Sequence, residues 1–334
     1  MCRPAPLLVG VLLLAGGVCI WAQPATPWRD PSPHKTQLVT VDENVQLEVL
    51  DWGGSGRPIV LLAGSGNTAH VFDEFAPRLI PDGHVYGITR RGYGMSTPAT
   101  SGYTADRLGE DVGQVLDALS LSSAILIGHS IAGQELSFLA SRTPKRLSGV
   151  VYLEAAYFYA FQSPNPPSPP TSPQRPRGTP LQSPSPGPDD LKDIAAFRVW
   201  SRQFRGFALP ESEIRQTRSI AADGSVGPVR TPASIGESIL AGRQRFSELK
   251  VPVLAIFAIP HDLGPWAKDD RSQTDAIAGF IESDVASTER QANAVETGVP
   301  GAKVVRIPNA NHYVFLSHED VVLREIRAFI ESLR

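Results

Sequence analysis

Residues 125–133, ILIGHSIAG, run four apolar residues into Gly128, His129 and Ser130, and then into small residues that open a helix. The pattern small-x-Ser-x-small, from Gly128 to Ala132, is that of a nucleophile elbow, a strand-to-helix turn so tight that side chains two before and two after the serine would collide. Such a turn lifts a hydroxyl clear of a sheet and aims a helix N-terminus at whatever binds beside it. The competing reading is a serine that merely caps a helix after a glycine turn. Context decides between them. A serine nucleophile needs a base, an acid to orient that base, and N–H donors for the developing oxyanion. Downstream, AIFAIPHD ends an apolar run at Asp262 and VVRIPNANH ends another at His312, in the order serine, acid, histidine. Upstream, VLLAGSGN ends a run in Gly64, Ser65 and Gly66, where absent side chains let backbone N–H groups approach a substrate oxygen. His129 is expected to pack rather than react, and His261 precedes the acid and lacks the late position of a base. His70, His84 and His318 have no metal-ligand spacing.

These residues need strands whose ends converge. Short apolar runs at 58–63, 85–89, 124–128, 149–154, 252–258 and 303–307 alternate with helix-length segments, which is the signature of an α/β protein with a mostly parallel sheet. The alternating segments QLVTV and VQLEVL on either side of DEN fit an antiparallel hairpin. A helix is expected to start at the N-cap Thr104 and to bury Leu108, Val112, Val115, Leu116 and Leu119, and the C-terminal segment repeats this logic with Val322, Ile326, Phe329 and Ile330. Residues 163–188 hold 11 prolines in 26 positions, which suits neither a helix nor a central strand. The expected organisation is a core of residues 38–154 and 249–334, with residues 155–248 inserted as a helical lid that contains this proline-rich segment. Within the lid, Phe197, Trp200 and Phe204 share one helix face; such a stripe reads as the lid's own packing before it reads as a pocket wall.

The chain has 334 residues, 31 basic against 34 acidic, and a formal net charge of −3. It lacks the basic surface that nucleic-acid binding requires. Residues 1–22 read as a signal peptide, with Ile20 and Ala22 before the cleavage point, followed by an exposed leader over 23–37. An uncleaved anchor or a lipoprotein anchored through Cys19 are the alternatives. The first reading implies an exported protein, periplasmic or extracellular, with no membrane span after cleavage. Both cysteines, Cys2 and Cys19, fall in the signal segment, so the mature chain is expected to have no disulfide and no thiol nucleophile.

On the elbow at Ser130 and on RRGYGMSTP, which carries Arg91, Gly92, Gly94 and Ser96 in an Arg-Gly-x-Gly-x-Ser pattern, the chain resembles the α/β-hydrolase superfamily from about residue 38 onward, apart from the proline-rich stretch. It departs at Ala63, where many members have a histidine, and at Thr89, where an aspartate is common. The resemblance implies an α/β-hydrolase fold with a lid and a serine hydrolase acting on a small-molecule apolar ester through an acyl-enzyme, with no cofactor and no metal. Ser130 would attack, His312 would accept its proton, Asp262 would hold the imidazole, and the amides of Ser65 and Ile131 would face the oxyanion. Glu154 is the alternative acid, because some members place the carboxylate one strand after the elbow. The rival functions are a proline-iminopeptidase-like aminopeptidase, which RRGYGMSTP also resembles, and a ligand-binding protein that keeps the fold without the reaction.

Overall fold

The computed structural model describes residues 28–163 and 181–333. The expected signal segment with Cys2 and Cys19, the first part of the leader and positions 164–180 of the proline-rich segment lie outside the described residues. The chain divides after Pro31; Trp28–Pro31 forms neither helix nor strand, and everything below concerns the unit from Ser32 onward.

An eight-stranded sheet is its centre. The strands are β1 (Lys35–Asp42), β2 (Val45–Gly53), β3 (Pro58–Leu62), β4 (His84–Ile88), β5 (Ala124–His129), β6 (Leu147–Leu153), β9 (Val253–Ala258) and β10 (Lys303–Ile307), in the order β1-β2-β4-β3-β5-β6-β9-β10. β1 and β2 form the expected hairpin, turned at Asn44 with φ 59°, and β2 also runs antiparallel to β4. Every other pairing is parallel. β5, which carries the elbow, lies between β3 and β6 and is buried along its whole length.

Side-chain alternation along the strands splits the core into two layers. Leu126 and Ala124 face α1 (Ala105–Ala118), α2 (Gly133–Arg142) and α7 (Thr274–Gly298), whereas Ile125 and Ile127 face residues 69–79, α8 (Val314–Ser317) and α9 (Glu319–Ser332). Each fully buried Leu or Ile contributes on the order of 1.5–3 kcal/mol. Thr104 caps α1 by accepting a hydrogen bond from the Arg107 amide, and Leu108, Val112, Val115 and Leu116 are buried as expected, with Leu119 at the C-cap packed against the same layer. In α9, Val322, Ile326, Phe329 and Ile330 are buried.

Between β6 and β9 lie α3 (Ile194–Arg205), α4 (Glu211–Thr217), the strands β7 (Arg218–Ile220) and β8 (Val226–Val229), and α5 (Ala233–Ala241). The antiparallel pair β7–β8 differs from the all-helical expectation for this stretch. Its strands are three and four residues long, too short for an alternating pattern, and one contains Pro228. Phe197 and Trp200 stack at 5.5 Å, Trp200 and Phe204 at 5.0 Å, and Phe204 meets Trp266 of α6 (Pro265–Asp269) at 6.1 Å. The aromatic stripe therefore packs on itself and on α6.

Candidate active site

Ser130 follows the last residue of β5 with φ 53°, a left-handed conformation that L-residues rarely adopt and that a tight strand-to-helix turn imposes. The reason for small neighbours is visible in the geometry. A Cβ on Gly128 would sit 3.2 Å from the Ala132 Cβ and 2.5 Å from a Leu136 methyl. The Ser130 hydroxyl meets His312 Nε2 at 2.9 Å. His312 lies in the loop between β10 and α8, so the ends of two strands bring this hydroxyl and this imidazole together.

The other ring nitrogen, His312 Nδ1, lies 3.1 Å from Glu154 Oε2. A hydrogen bond to a carboxylate places the proton on Nδ1 and leaves the Nε2 lone pair to accept from Ser130. The expected Asp262–His312 pair is thus not formed. Asp262 instead accepts from the Gly264 amide at 2.9 Å and meets Lys268 Nζ at 3.3 Å, so its carboxylate closes its own loop. The cause is the direction of adjacent residues at a strand tip. His261 continues the ladder past β9 through a bridge to Ala310 and points inward, which turns its neighbour Asp262 outward.

Glu154 follows the end of β6, is completely buried, and has φ 52°. Its Oε1 accepts from the Ala258 amide at 2.5 Å, and its Oε2 accepts from Tyr157 Oη at 2.6 Å and from His261 Nε2 at 2.5 Å in addition to His312. Burial by itself would push this carboxyl up; the hydrogen bonds and charges of His261 and His312 outweigh burial and hold it down at about 2. His261 Nδ1 in turn faces Asp284 Oδ2 of α7 at 2.7 Å. Burial would lower the His261 pKa, but Asp284 and Glu154 raise it to about 10. Sequence reasoning placed no role on His261, Tyr157 or Asp284. Only the juxtaposition of His261 and Asp262 at a strand end signalled that one of the two had to face the site. Ligand-type atoms of Glu154, His261 and His312 lie within 4.8 Å of one another, yet all are spent on the bonds just described, and no metal is assigned to them.

His129 is fully buried beside the elbow. Its Nε2 donates to the His312 carbonyl at 3.1 Å, and its ring packs on those of His312 and Tyr313 at 4.8 and 4.7 Å. Burial, then the neighbouring His312, push its pKa down to about 3, so it stays neutral and braces the backbone of His312. The loop Gly64–Ser65–Gly66 lies against Ser130: a Cβ on Gly64 would stand 3.1 Å from Ser130 Cβ and 2.8 Å from His129 Nδ1. Arg90 holds this loop from behind, donating to the carbonyls of Ala63 at 3.0 Å and Gly64 at 3.4 Å while its Nε pairs with Glu135 at 2.6 Å. The Ser65 amide donates to no acceptor among the described residues, and the Ile131 amide opens the helical turn after Ser130.

The segment between β6 and β9 closes over these groups. A Cβ on Gly236 of α5 would lie 3.6 Å from Ser65 Oγ. In α4, the buried Glu213 accepts from Asn67 Nδ2 at 2.8 Å and from the amide and hydroxyl of Thr68, and Ser212 donates to Asp73. Asn67 also accepts from Tyr313 Oη at 2.9 Å, which links α4 to the residue after His312. The remaining motif residues are structural. Arg91 makes a two-pronged buried pair with Asp111, with both bonds 2.6 Å, and Ser96 donates to the Thr89 carbonyl at 2.7 Å. His70 is held between Asp73 and Glu48, and His84 pairs with Asp51.

A model of the family described as "Alpha/beta hydrolase family" matches residues 59–325. A putative non-heme haloperoxidase of Mycobacterium phage D29 is 32% identical over 104 residues, 31% of this chain and 37% of that protein, so the chain spans little more than a third of its length. A bifunctional esterase/perhydrolase DCH of Acinetobacter calcoaceticus is 22% identical over 88% of this chain and 99% of its own. Among solved structures, that of E-2-(acetamidomethylene)succinate hydrolase has a TM-score of 0.62, covering 89% of this chain and 99% of that one at 19% identity, a likeness in fold.

Proposed function

The chain belongs to the alpha/beta hydrolase family, and we propose that it is a serine hydrolase that cleaves carboxylic esters through an acyl-enzyme. The observation that carries this reading is the unbroken hydrogen-bonded line from Ser130 Oγ to His312 Nε2 and from His312 Nδ1 to Glu154 Oε2. Ser130 Oγ attacks the ester carbonyl carbon as its proton passes to His312 Nε2. The carbonyl oxygen takes up negative charge, which the amides of Ser65 and Ile131 receive. The tetrahedral species collapses, the C–O bond to the alcohol breaks, and the alcohol leaves with the proton from His312. Water repeats the sequence on the acyl-enzyme and releases the acid. Glu154 acts through His312, fixing its tautomer and balancing the positive charge it acquires.

The ester reading is favoured over an aminopeptidase by the state of the two carboxylates of α4. Glu213 is turned into Asn67 and Thr68, and Glu211 pairs with Arg215 at 2.6 Å, so neither is left to receive a free amino terminus. Ile131 packs with Tyr93, Leu108, Ile235 and Ile239, which suits an apolar ester of small to medium size. Export, to the periplasm or outside the cell, is the further part of the reading. It rests on the sequence of residues 1–22 and is checked by N-terminal sequencing of protein recovered outside the cytoplasm.

A fluorophosphonate probe tests the chemistry, because only an activated serine reacts with it. Covalent labelling at Ser130, with turnover of p-nitrophenyl esters exceeding that of aminoacyl-anilides, is expected. An unlabelled, inactive folded protein would support the non-catalytic ligand-binding alternative.

A further inference from the structure

Beyond serine, base and acid, the hydrogen bonds continue. Glu154 Oε2 meets His261 Nε2 at 2.5 Å, and His261 Nδ1 meets Asp284 Oδ2 at 2.7 Å. A carboxylate can only accept, so a ring whose two nitrogens both face carboxylates donates from both and is an imidazolium. We infer that His261, held as an imidazolium between Asp284 and Glu154, is a positioning residue that aims Glu154 at His312 and tempers the charge that His312 meets there. The inference rests on the serine-hydrolase reading and adds a second acid–histidine pair behind the first.

Two physical effects follow. The first is geometric. Glu154 leaves the sheet in a left-handed conformation, and a buried carboxylate there would rotate freely about its last bond without donors on both oxygens. The Ala258 amide fixes Oε1, and Tyr157 with His261 fix Oε2, so the oxygen facing His312 stays within reach of Nδ1. The second is electrostatic. The ring of His261 lies 6.3 Å from that of His312. Its charge opposes the charge that His312 gains on taking the serine proton, and it withdraws part of the Glu154 charge that would favour the same step. The ionisable groups facing His261 are Glu154 from the end of β6, Asp284 from α7 and His312 from the loop after β10; the adjacent Asp262 is turned to Gly264 and Lys268.

The test compares the wild type with His261→Gln and Asp284→Asn. Nitrogen-15 NMR of the histidine rings in the wild type at pH 8 should show His261 protonated at both nitrogens, and Asp284→Asn should lose that signature. For His261→Gln, the acid limb of kcat/KM on a p-nitrophenyl ester should move to higher pH with KM within about twofold. Coulomb's law for a unit charge 6.3 Å away in an effective dielectric of about 20–40 puts the movement at about one to two pH units. A neutral His261 ring in the wild type at pH 8 would overturn the inference. So would a folded His261→Gln protein whose acid limb stays in place, since a residue that only packs changes stability and not the limb. If His261→Gln does not fold, the ring spectra of the wild type and Asp284→Asn decide alone. Fluorophosphonate labelling of the wild type is run in parallel. Absent labelling would remove the serine-hydrolase reading, whereas labelling with an unmoved limb would remove only the role of His261.

Discussion

Glu154 Oε2 stands between two imidazoles, 2.5 Å from His261 Nε2 and 3.1 Å from His312 Nδ1, while the Asp262 carboxylate is bonded to Gly264 and Lys268. The two carboxylates therefore make opposite predictions. Glu154→Gln keeps the side chain's shape but presents a neutral amide to His312, which favours the wrong tautomer and removes the counter-charge. kcat should fall on the order of 10⁴-fold, the size of the corresponding loss in serine proteases. Asp262→Asn should change kcat by less than about tenfold, because a partly exposed loop carboxylate contributes little. Steady-state kinetics on one p-nitrophenyl ester decides, and equal losses in the two variants would sink the assignment of Glu154.

Ser130→Ala should abolish hydrolysis and fluorophosphonate labelling while leaving thermal unfolding within about 3 °C of wild type. The hydroxyl meets His312 Nε2 and belongs to neither apolar core layer, so its loss leaves the packing of both layers in place. Turnover at the wild-type rate by this variant would exclude Ser130 as the nucleophile.

The central strands β3, β5, β6 and β9 were legible as short apolar runs buried on both faces, the hairpin β1–β2 was legible by its alternation, and the elbow was legible because its constraint is local: five consecutive residues must fit one turn. The meeting of His312 with Ser130 was readable too, because His312 is the histidine that ends the last strand's loop. The partner of His312 was not readable, because it depends on which of two strand tips the base faces across the sheet. A shift of one residue at the end of β9 exchanges His261 for Asp262, and nothing in PHD sets that parity. Asp284 lay further out of reach. It is one of several acidic residues on the helix α7, and only the packing of α7 against β9 singles it out. The hairpin β7–β8 failed differently: three- and four-residue strands are too short to show a period of two.

Gly64→Ala should damage the site without replacing a reacting group. The added methyl would stand 2.8 Å from His129 Nδ1 and 3.1 Å from Ser130 Cβ. His129 has no room to yield, being fully buried among His312, Tyr313 and Phe315. Overpacking of this kind costs about 1–3 kcal/mol. A displacement of Ser130 from His312 Nε2 should lower kcat on the order of 10²-fold, the scale expected when a reacting group is misplaced by about 1 Å. The measurements are thermal unfolding and kcat together. A variant with wild-type kcat would show that the loop at Gly64 gives way without disturbing the nucleophile.

Glu213 offers a prediction about pH, with a sign that can be worked out. This carboxyl ties α4 to the loop at Asn67 and Thr68. Burial pushes its pKa up to about 8, against the hydrogen bonds from Thr68 and Asn67 that favour the ionised form. In the unfolded chain the same group titrates near its ordinary value of about 4.5. Between those two values the folded state binds a proton that the unfolded state has released, so stability falls as pH rises. The contribution is fully present below about pH 4.5 and is lost as pH passes through about 8. Glu213→Gln, which resembles the protonated acid in shape and charge, should follow the wild-type melting temperature near pH 5. Above that the variant should become relatively more stable, and the difference should level off beyond about pH 8. His70 and His261 add pH dependence of their own, with pKa values raised to about 10, but both proteins share it and the difference between the curves isolates Glu213. Thermal unfolding at intervals from pH 5 to pH 9 reads that difference directly. Parallel curves would mean that Glu213 is ionised throughout, held by its three donors, and that burial does not set its proton.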